Sequence, residues 1–227
     1  MEHQNKLSIP AAIIVAGILI ALAIFATKSP GQPSPTNAPG QPASIKLNPV
    51  TAQEHVRGNA KAKVVIVEFS DLECPFCKMF HPTMQKLFAN YNGDMAWVYR
   101  HFPLDSIHPK TRKEAEAAEC AAELGGNDAF WKFVDRVFEI TPGNNQLDPN
   151  QLYNIADYIG LDKVAFKACL DSGKEAAKVE SQFQDGVAAG VTGTPMSFIL
   201  YKNQKIQING ADSYESIKAK IDSLLKS

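Results

Sequence analysis

The 227-residue chain has no excess of charge of either sign, since 23 Lys and Arg stand against 24 Asp and Glu. Without a basic surplus to neutralise phosphates, nucleic-acid binding is not expected. Cysteine is scarce, four in all, which excludes a small scaffold held together by dense disulfides. None of the four precedes Cys74, so lipid attachment at an N-terminal cysteine is excluded as well. No internal repeat occurs. A composition that is 45% hydrophobic and 21% charged excludes a collagen-like, mucin-like or wholly disordered chain.

One long apolar run is present. From Ala11 to Phe25 there is no polar side chain, and the apolar character extends from Ile9 to Ala26 around Pro10 and Gly17. This length falls between a secretory core of about 7–15 residues and a spanning helix of about 20. The triplet Ala21-Leu22-Ala23 lies inside the run rather than after it, so an uncleaved signal anchor, an N-terminal transmembrane helix over residues 1–28, is expected, a cleaved signal peptide being the alternative. Lys6 against Glu2 on one side and Lys28 on the other give charge little say in its orientation. Residues 29–44 are uncharged and Pro-rich, the composition of a semi-extended tether. Residues 45–227 then read as one folded domain.

Within that domain, Lys63 to Phe69 is a β-branched run typical of a buried strand. It leads through Ser70-Asp71-Leu72-Glu73 into Cys74-Pro75-Phe76-Cys77, where Pro75 suits a first helical position. Apolar residues at Phe76, Met79, Phe80, Met84, Leu87, Phe88 and Tyr91 predict a helix closed by Gly93, kinked by Pro82 near Lys78–Met79. Met95 to Phe102 reads as a second strand. Helices follow at Lys110–Leu124, closed by Gly125-Gly126, and at Asp128–Ile140, whose stripe around Trp131 reads as core. Shorter ones are expected at Pro149–Ile159, Lys163–Leu170 and Lys174–Ala189. Strands Met196–Tyr201 and Lys205–Ile208 precede a helix from Ser213, with Asp212 as cap and Glu215 as its acidic partner. The order is α/β with a helical insertion at about 104–189.

A C-x-x-C pair at a helix start has a specific chemical use. Unsatisfied N–H groups and the helix dipole stabilise a thiolate on the first cysteine, which makes Cys74 the expected nucleophile. Cys77, one turn on, resolves the mixed disulfide. A zinc half-site completed by His81, or two inert thiols, are the alternatives, and no metal or other cofactor is expected. His81 follows the first turn and is placed to line the site, whereas His101 and His108 read as surface or structural positions.

The run Val67-Glu68-Phe69-Ser70-Asp71-Leu72-Glu73-Cys74-Pro75-Phe76-Cys77, with His55-Val56-Arg57-Gly58-Asn59 and Gly190-Val191-Thr192-Gly193-Thr194-Pro195, resembles the DsbA-like thiol-disulfide oxidoreductases of the thioredoxin superfamily. The resemblance covers the chain from about Pro49 onward and implies a thioredoxin fold with an inserted helical domain. It implies a protein disulfide oxidase outside the cytoplasm, which the apolar run would hold as a single-pass protein of the cell membrane. Its partners would be reduced or unfolded secreted proteins and a membrane quinone-linked reoxidase. No dimerisation segment is evident, so a monomer is expected. Pro195 matches the family's cis-proline, and the Thr194 backbone would pair with an extended substrate beside Pro75 and Phe76. Glu68 matches a buried acid beneath the cysteines, able to exchange protons with Cys77. Cys120 and Cys169, both in the insertion, are expected to form a structural disulfide in an oxidising compartment, two free buried thiols being the alternative. Phe76 stands where the family's strongest oxidant carries histidine, so a reductase or isomerase of the same fold stays open, as does a tethered peptide- or zinc-binding module.

Overall fold

The computed structural model describes residues 45–91 and 93–226. The expected signal anchor and tether lie outside the described residues. Among the described residues no helix is long and apolar enough to cross a membrane.

Five strands form one sheet in the order β1-β3-β2-β4-β5. They are β1 (His55–Arg57), β2 (Val64–Ser70), β3 (Met95–His101), β4 (Met196–Tyr201) and β5 (Gln204–Asn209). The central pair β2–β3 is parallel and the other three pairings are antiparallel. Successive side chains of a strand point to opposite faces, so β2 feeds two cores. Val64 and Ile66 join Trp97, Tyr99 and Ile199 on one face; Val65, Val67 and Phe69 join Val98, Phe102 and Phe198 on the other. Parity puts Glu68 on the first face, where only apolar neighbours would be expected. This makes it the unusual residue of the strand.

Helix α1 (Pro75–Asn90) connects β2 to β3 and packs with α6 (Tyr214–Leu225) on that first face. It runs through Pro82 as one element and ends at Asn90, three residues before Gly93. Pro82 is exposed in it, and its missing N–H falls opposite the Lys78 carbonyl. The four helices between β3 and β4 are α2 (Thr111–Ile140), α3 (Asn150–Tyr158), α4 (Lys163–Ser172) and α5 (Ala176–Ala189). The two helices expected on either side of Gly125-Gly126 form one long α2 with a break, because Gly126 adopts φ 73° and ψ −168°. Phe130, Trp131, Phe133, Val134, Val137 and Phe138 beyond the break are all buried. Helix α5 reaches the second face through Gly186, where an added Cβ would lie 2.5 Å from Phe102.

Two further features differ from the sequence reading. Strand β1 was not foreseen, since three residues with two polar side chains carry no period. The cap of α6 is Ser213, whose hydroxyl accepts from Ser216 N at 3.2 Å; Asp212 instead accepts from the Ser216 hydroxyl and pairs with Lys220. A side chain inside the boundary residue reaches the free N–H groups more directly than one a residue earlier.

Candidate active site

The thiols of Cys74 and Cys77 meet where β2 ends and α1 begins. Cys74 is the N-cap, in extended conformation at ψ 120°, and Pro75 is the first helical residue. Both thiols are free, and both cysteines are buried. The Cys74 thiol donates to the Thr194 carbonyl at 3.4 Å, and the Thr194–Pro195 peptide is cis. The chain segments around Cys74 and Pro195, 120 residues apart, therefore form one surface. Phe76, expected beside an extended substrate, and Met79 stand 58% and 60% exposed on the first turns of α1. Beside Pro195 an open groove of about 510 Å³ is lined by Thr192, Gly193, Thr194, Gln207 and Asn209.

The two cysteines are electrostatically unlike. A hydrogen bond from the Cys77 thiol is the largest cause that holds the Cys74 pKa down at about 6; Thr194 and the N–H groups of Cys77 and Phe76 add to it, against the cost of burial. Those N–H groups are the free donors of a helix start. Burial pushes the Cys77 thiol well up, and the thiolate of Cys74 and the Glu68 carboxylate push it further. One cysteine is thus prepared to ionise and the other to stay protonated.

Glu68 has no exposed surface, and its Oε2 accepts from Trp97 Nε1 at 2.9 Å. Burial raises its pKa to about 7, only partly offset by hydrogen bonds. Glu68 thus lies inside the core and not on a solvent-facing side of β2. Tyr99, beside it on β3, is pushed well up by burial and by the charges of Glu68 and Cys77.

His81 does not face the cysteines. It is buried against Trp97 and Phe138, and its Nε2 lies 2.7 Å from Asp135 Oδ1. Asp135 also accepts from Arg57 at 2.7 Å, so β1, α1 and α2 are tied at one carboxylate. His101 and His108 are buried structural residues: His101 Nε2 lies 3.2 Å from Glu119, and His108 Nδ1 lies 3.1 Å from Asp71. Cys120 and Cys169 are joined by a disulfide that links α2 to α4, with Cα atoms 5.9 Å apart. Glu123, Cys169 and Glu175 bring three candidate ligand atoms within 4.8 Å of one another, but the sulfur is committed to that disulfide.

Sequence reasoning missed the acids around the Cys74 turn. Asp71 accepts from Glu73 N, Leu104 N and the Thr111 hydroxyl, each at 2.8 Å. Glu73 accepts from Gln146 N at 3.1 Å and Leu147 N at 3.0 Å. The available signal was two acidic residues beside a helix start, flanked by apolar positions.

Comparison with known proteins agrees with this geometry. A family described as thioredoxin matches residues 50–223. The crystal structure of oxidised BdbD from Bacillus subtilis superposes with a TM-score of 0.69 at 26% identity, covering 81% of this chain and 98% of that one. Pseudomonas aeruginosa DsbA2 superposes with a TM-score of 0.65 at 27% identity, covering 78% and 98%. A curated relative from Salinispora tropica, named Na(+)/H(+) antiporter NhaA 3, is 34% identical over 147 residues, 65% of this chain. The chain spans 22% of that protein's length, and the name is that of the longer protein. With its family match, its DsbA-type superpositions and its paired thiols at the start of α1, the chain belongs to the thioredoxin family and has the fold of the DsbA-like thiol-disulfide oxidoreductases.

Proposed function

We propose that the chain is a membrane-anchored protein disulfide oxidase, which donates the Cys74–Cys77 disulfide to reduced secreted proteins outside the cytoplasm. The observation that carries this reading is the stabilised Cys74 thiolate. Anything that stabilises the thiolate stabilises the reduced form, and so makes the disulfide a better oxidant. The Cys74 pKa is held well below that of an ordinary thiol, in the direction that favours release of Cys74 as a leaving thiolate.

A substrate thiolate attacks the Cys74 sulfur. A substrate–Cys74 disulfide forms, the Cys74–Cys77 bond breaks, and Cys77 leaves with the electron pair. Its high proton affinity favours immediate protonation, and Glu68, which holds a proton up to about pH 7, is the buried acid beside it. A second substrate thiolate then attacks the substrate sulfur and expels Cys74 as its stabilised thiolate. Two electrons have passed from the substrate dithiol to the enzyme. The groove beside Pro195 and the exposed Phe76 and Met79 suit an extended, partly apolar segment paired with the Thr194 backbone. Return to the disulfide form would need a membrane quinone-linked reoxidase, which the apolar run at residues 9–26 would keep near.

The test is the equilibrium reduction potential of Cys74–Cys77 in glutathione buffers on the full chain. A value of about −120 to −180 mV supports a disulfide donor, and a value near about −270 mV reverses the direction of electron flow in favour of a reductase.

A further inference from the structure

Residues Asp71 to Cys74 form the turn that delivers Cys74 from β2 to the start of α1, and Asp71 is bonded into it twice. Its carbonyl accepts from Cys74 N at 3.1 Å, and its Oδ1 accepts from Glu73 N at 2.8 Å. The second bond is an Asx turn, which an asparagine could also make. Three further contacts leave the turn. The Thr111 hydroxyl donates to Oδ1 at 2.8 Å, Leu104 N donates to Oδ2 at 2.8 Å, and His108 Nδ1 lies 3.1 Å from Oδ2. All three belong to the segment that runs from β3 into the first residue of α2, the entry to the helical insertion.

The Asp71 side chain has no exposed surface. A buried carboxylate is costly unless its lone pairs are satisfied, and three donors with an imidazole nitrogen occupy the acceptor sites that this group has. The turn's own geometry needs one of these four contacts; the other three bind the turn to the insertion. Glu73 adds a second tie beyond the far end of α2, where its carboxylate accepts from Gln146 N and Leu147 N and its carbonyl from Asn144 N at 2.7 Å. The first N–H groups of α1, the Cys77 thiol and Thr194 all meet at the Cys74 sulfur, so a displaced turn weakens these contacts together.

We propose that Asp71 is a positioning residue for thiol exchange: its buried carboxylate fixes Cys74 at the start of α1 by tying the β2–α1 turn to the entry of the helical insertion through Thr111, Leu104 and His108. It acts through the backbone of the turn, not on the sulfur. The role rests on the thiol-exchange reading for its purpose, but its test does not depend on turnover.

The test is the pH titration of Cys74 in the reduced full chain, followed by thiolate ultraviolet absorbance and by alkylation rate; Cys77 is fully buried and reacts slowly. The wild-type midpoint is expected near pH 6. Asp71→Asn keeps the size of the side chain but replaces one accepting oxygen by a donor, so it cannot hold Glu73, Thr111 and Leu104 together. It should move the midpoint up by about one unit, roughly a tenfold loss of thiolate at lower pH. Position and charge predict opposite signs here, because removing a nearby negative charge would by itself favour the thiolate and move the midpoint down. Thr111→Val should move it up by less than Asp71→Asn does. Thr111→Ser, which keeps the hydroxyl, should stay at the wild-type midpoint, and the double variant Asp71→Asn/Thr111→Val should match Asp71→Asn. A midpoint that falls, one that stays while only thermal stability drops, or equal effects of Thr111→Val and Thr111→Ser would overturn the proposal. If Asp71→Asn does not fold, the two Thr111 variants decide, since they leave the residues of the turn intact. A wild type with the expected titration but no insulin-disulfide exchange would sink the functional reading alone.

Discussion

The chain carries two cysteine pairs with the same chemistry and opposite surroundings. Cys74 and Cys77 sit three residues apart at a helix start, where the N–H groups of Cys77 and Phe76 and the side chains of Cys77 and Thr194 favour the Cys74 thiolate. Cys120 and Cys169 sit 49 residues apart on two helices of the insertion, within an apolar cluster that includes Phe133, Leu152 and Phe166. A sulfur becomes reactive when the protein stabilises its anion, and becomes a tie when packing leaves nothing for the anion to gain. The lesson is that the surroundings, not the bond, assign the role.

The sharpest way to break this comparison is Cys74→Ala. Removing the nucleophile should abolish insulin-disulfide exchange while leaving thermal unfolding near wild type. Residual turnover would mean that Cys77 or the second pair can act alone. Next in size is the double variant Cys120→Ala/Cys169→Ala, expected to lower unfolding free energy by about 2–4 kcal/mol with exchange retained. If exchange fell to the level of Cys74→Ala, the second pair would be a redox relay and the two would not be opposites.

Glu68→Gln probes what makes the first pair reactive. The folded pKa of Glu68 stands above its ordinary value, so the folded protein keeps a proton that the unfolded chain has lost. Its share of the stability is therefore lost as pH rises from about 4.5 to about 7, by up to about 3 kcal/mol. Denaturant unfolding of Glu68→Gln should show less of this fall, a gain over wild type at pH 8 that is absent at pH 4. A pH–rate profile of exchange should also lose its inflection near 7. Equal pH dependence in both proteins would remove Glu68 from the proton exchange at Cys77.

The smallest expected change is Phe76→His. An imidazolium beside the thiolate should lower the Cys74 midpoint by about half to one unit and shift the reduction potential toward stronger oxidation. An unchanged midpoint would show that the helix start and Cys77 already determine the anion's stability.

Much of this was legible in particular residues. The run Val64 to Phe69 needed only its β-branching to be read as a buried strand, and Cys-Pro-Phe-Cys carried a helix start and a nucleophile in four letters. The break at Gly126 followed from paired glycines. Strand β1 was not readable, because it owes its existence to pairing with β3 through Val56 and Val98. Buried Arg100 was not readable either; it sits in a strand pattern but pairs with Glu54 at 2.9 Å and with Asp185, partners 46 and 85 residues away.

By itself, the sequence determined the alternation of strands and helices, the helix that presents Cys74, and the chemical identity of every reacting group. These are local properties, set by side-chain period, turn residues and spacing along a few turns of chain. Only the tertiary structure decided that Asp71 and Glu73 tie the Cys74 turn to the helical insertion, and that His81 pairs with Asp135. Proton affinity depends on burial and on neighbours within a few ångströms, and those neighbours come from segments that the sequence leaves far apart.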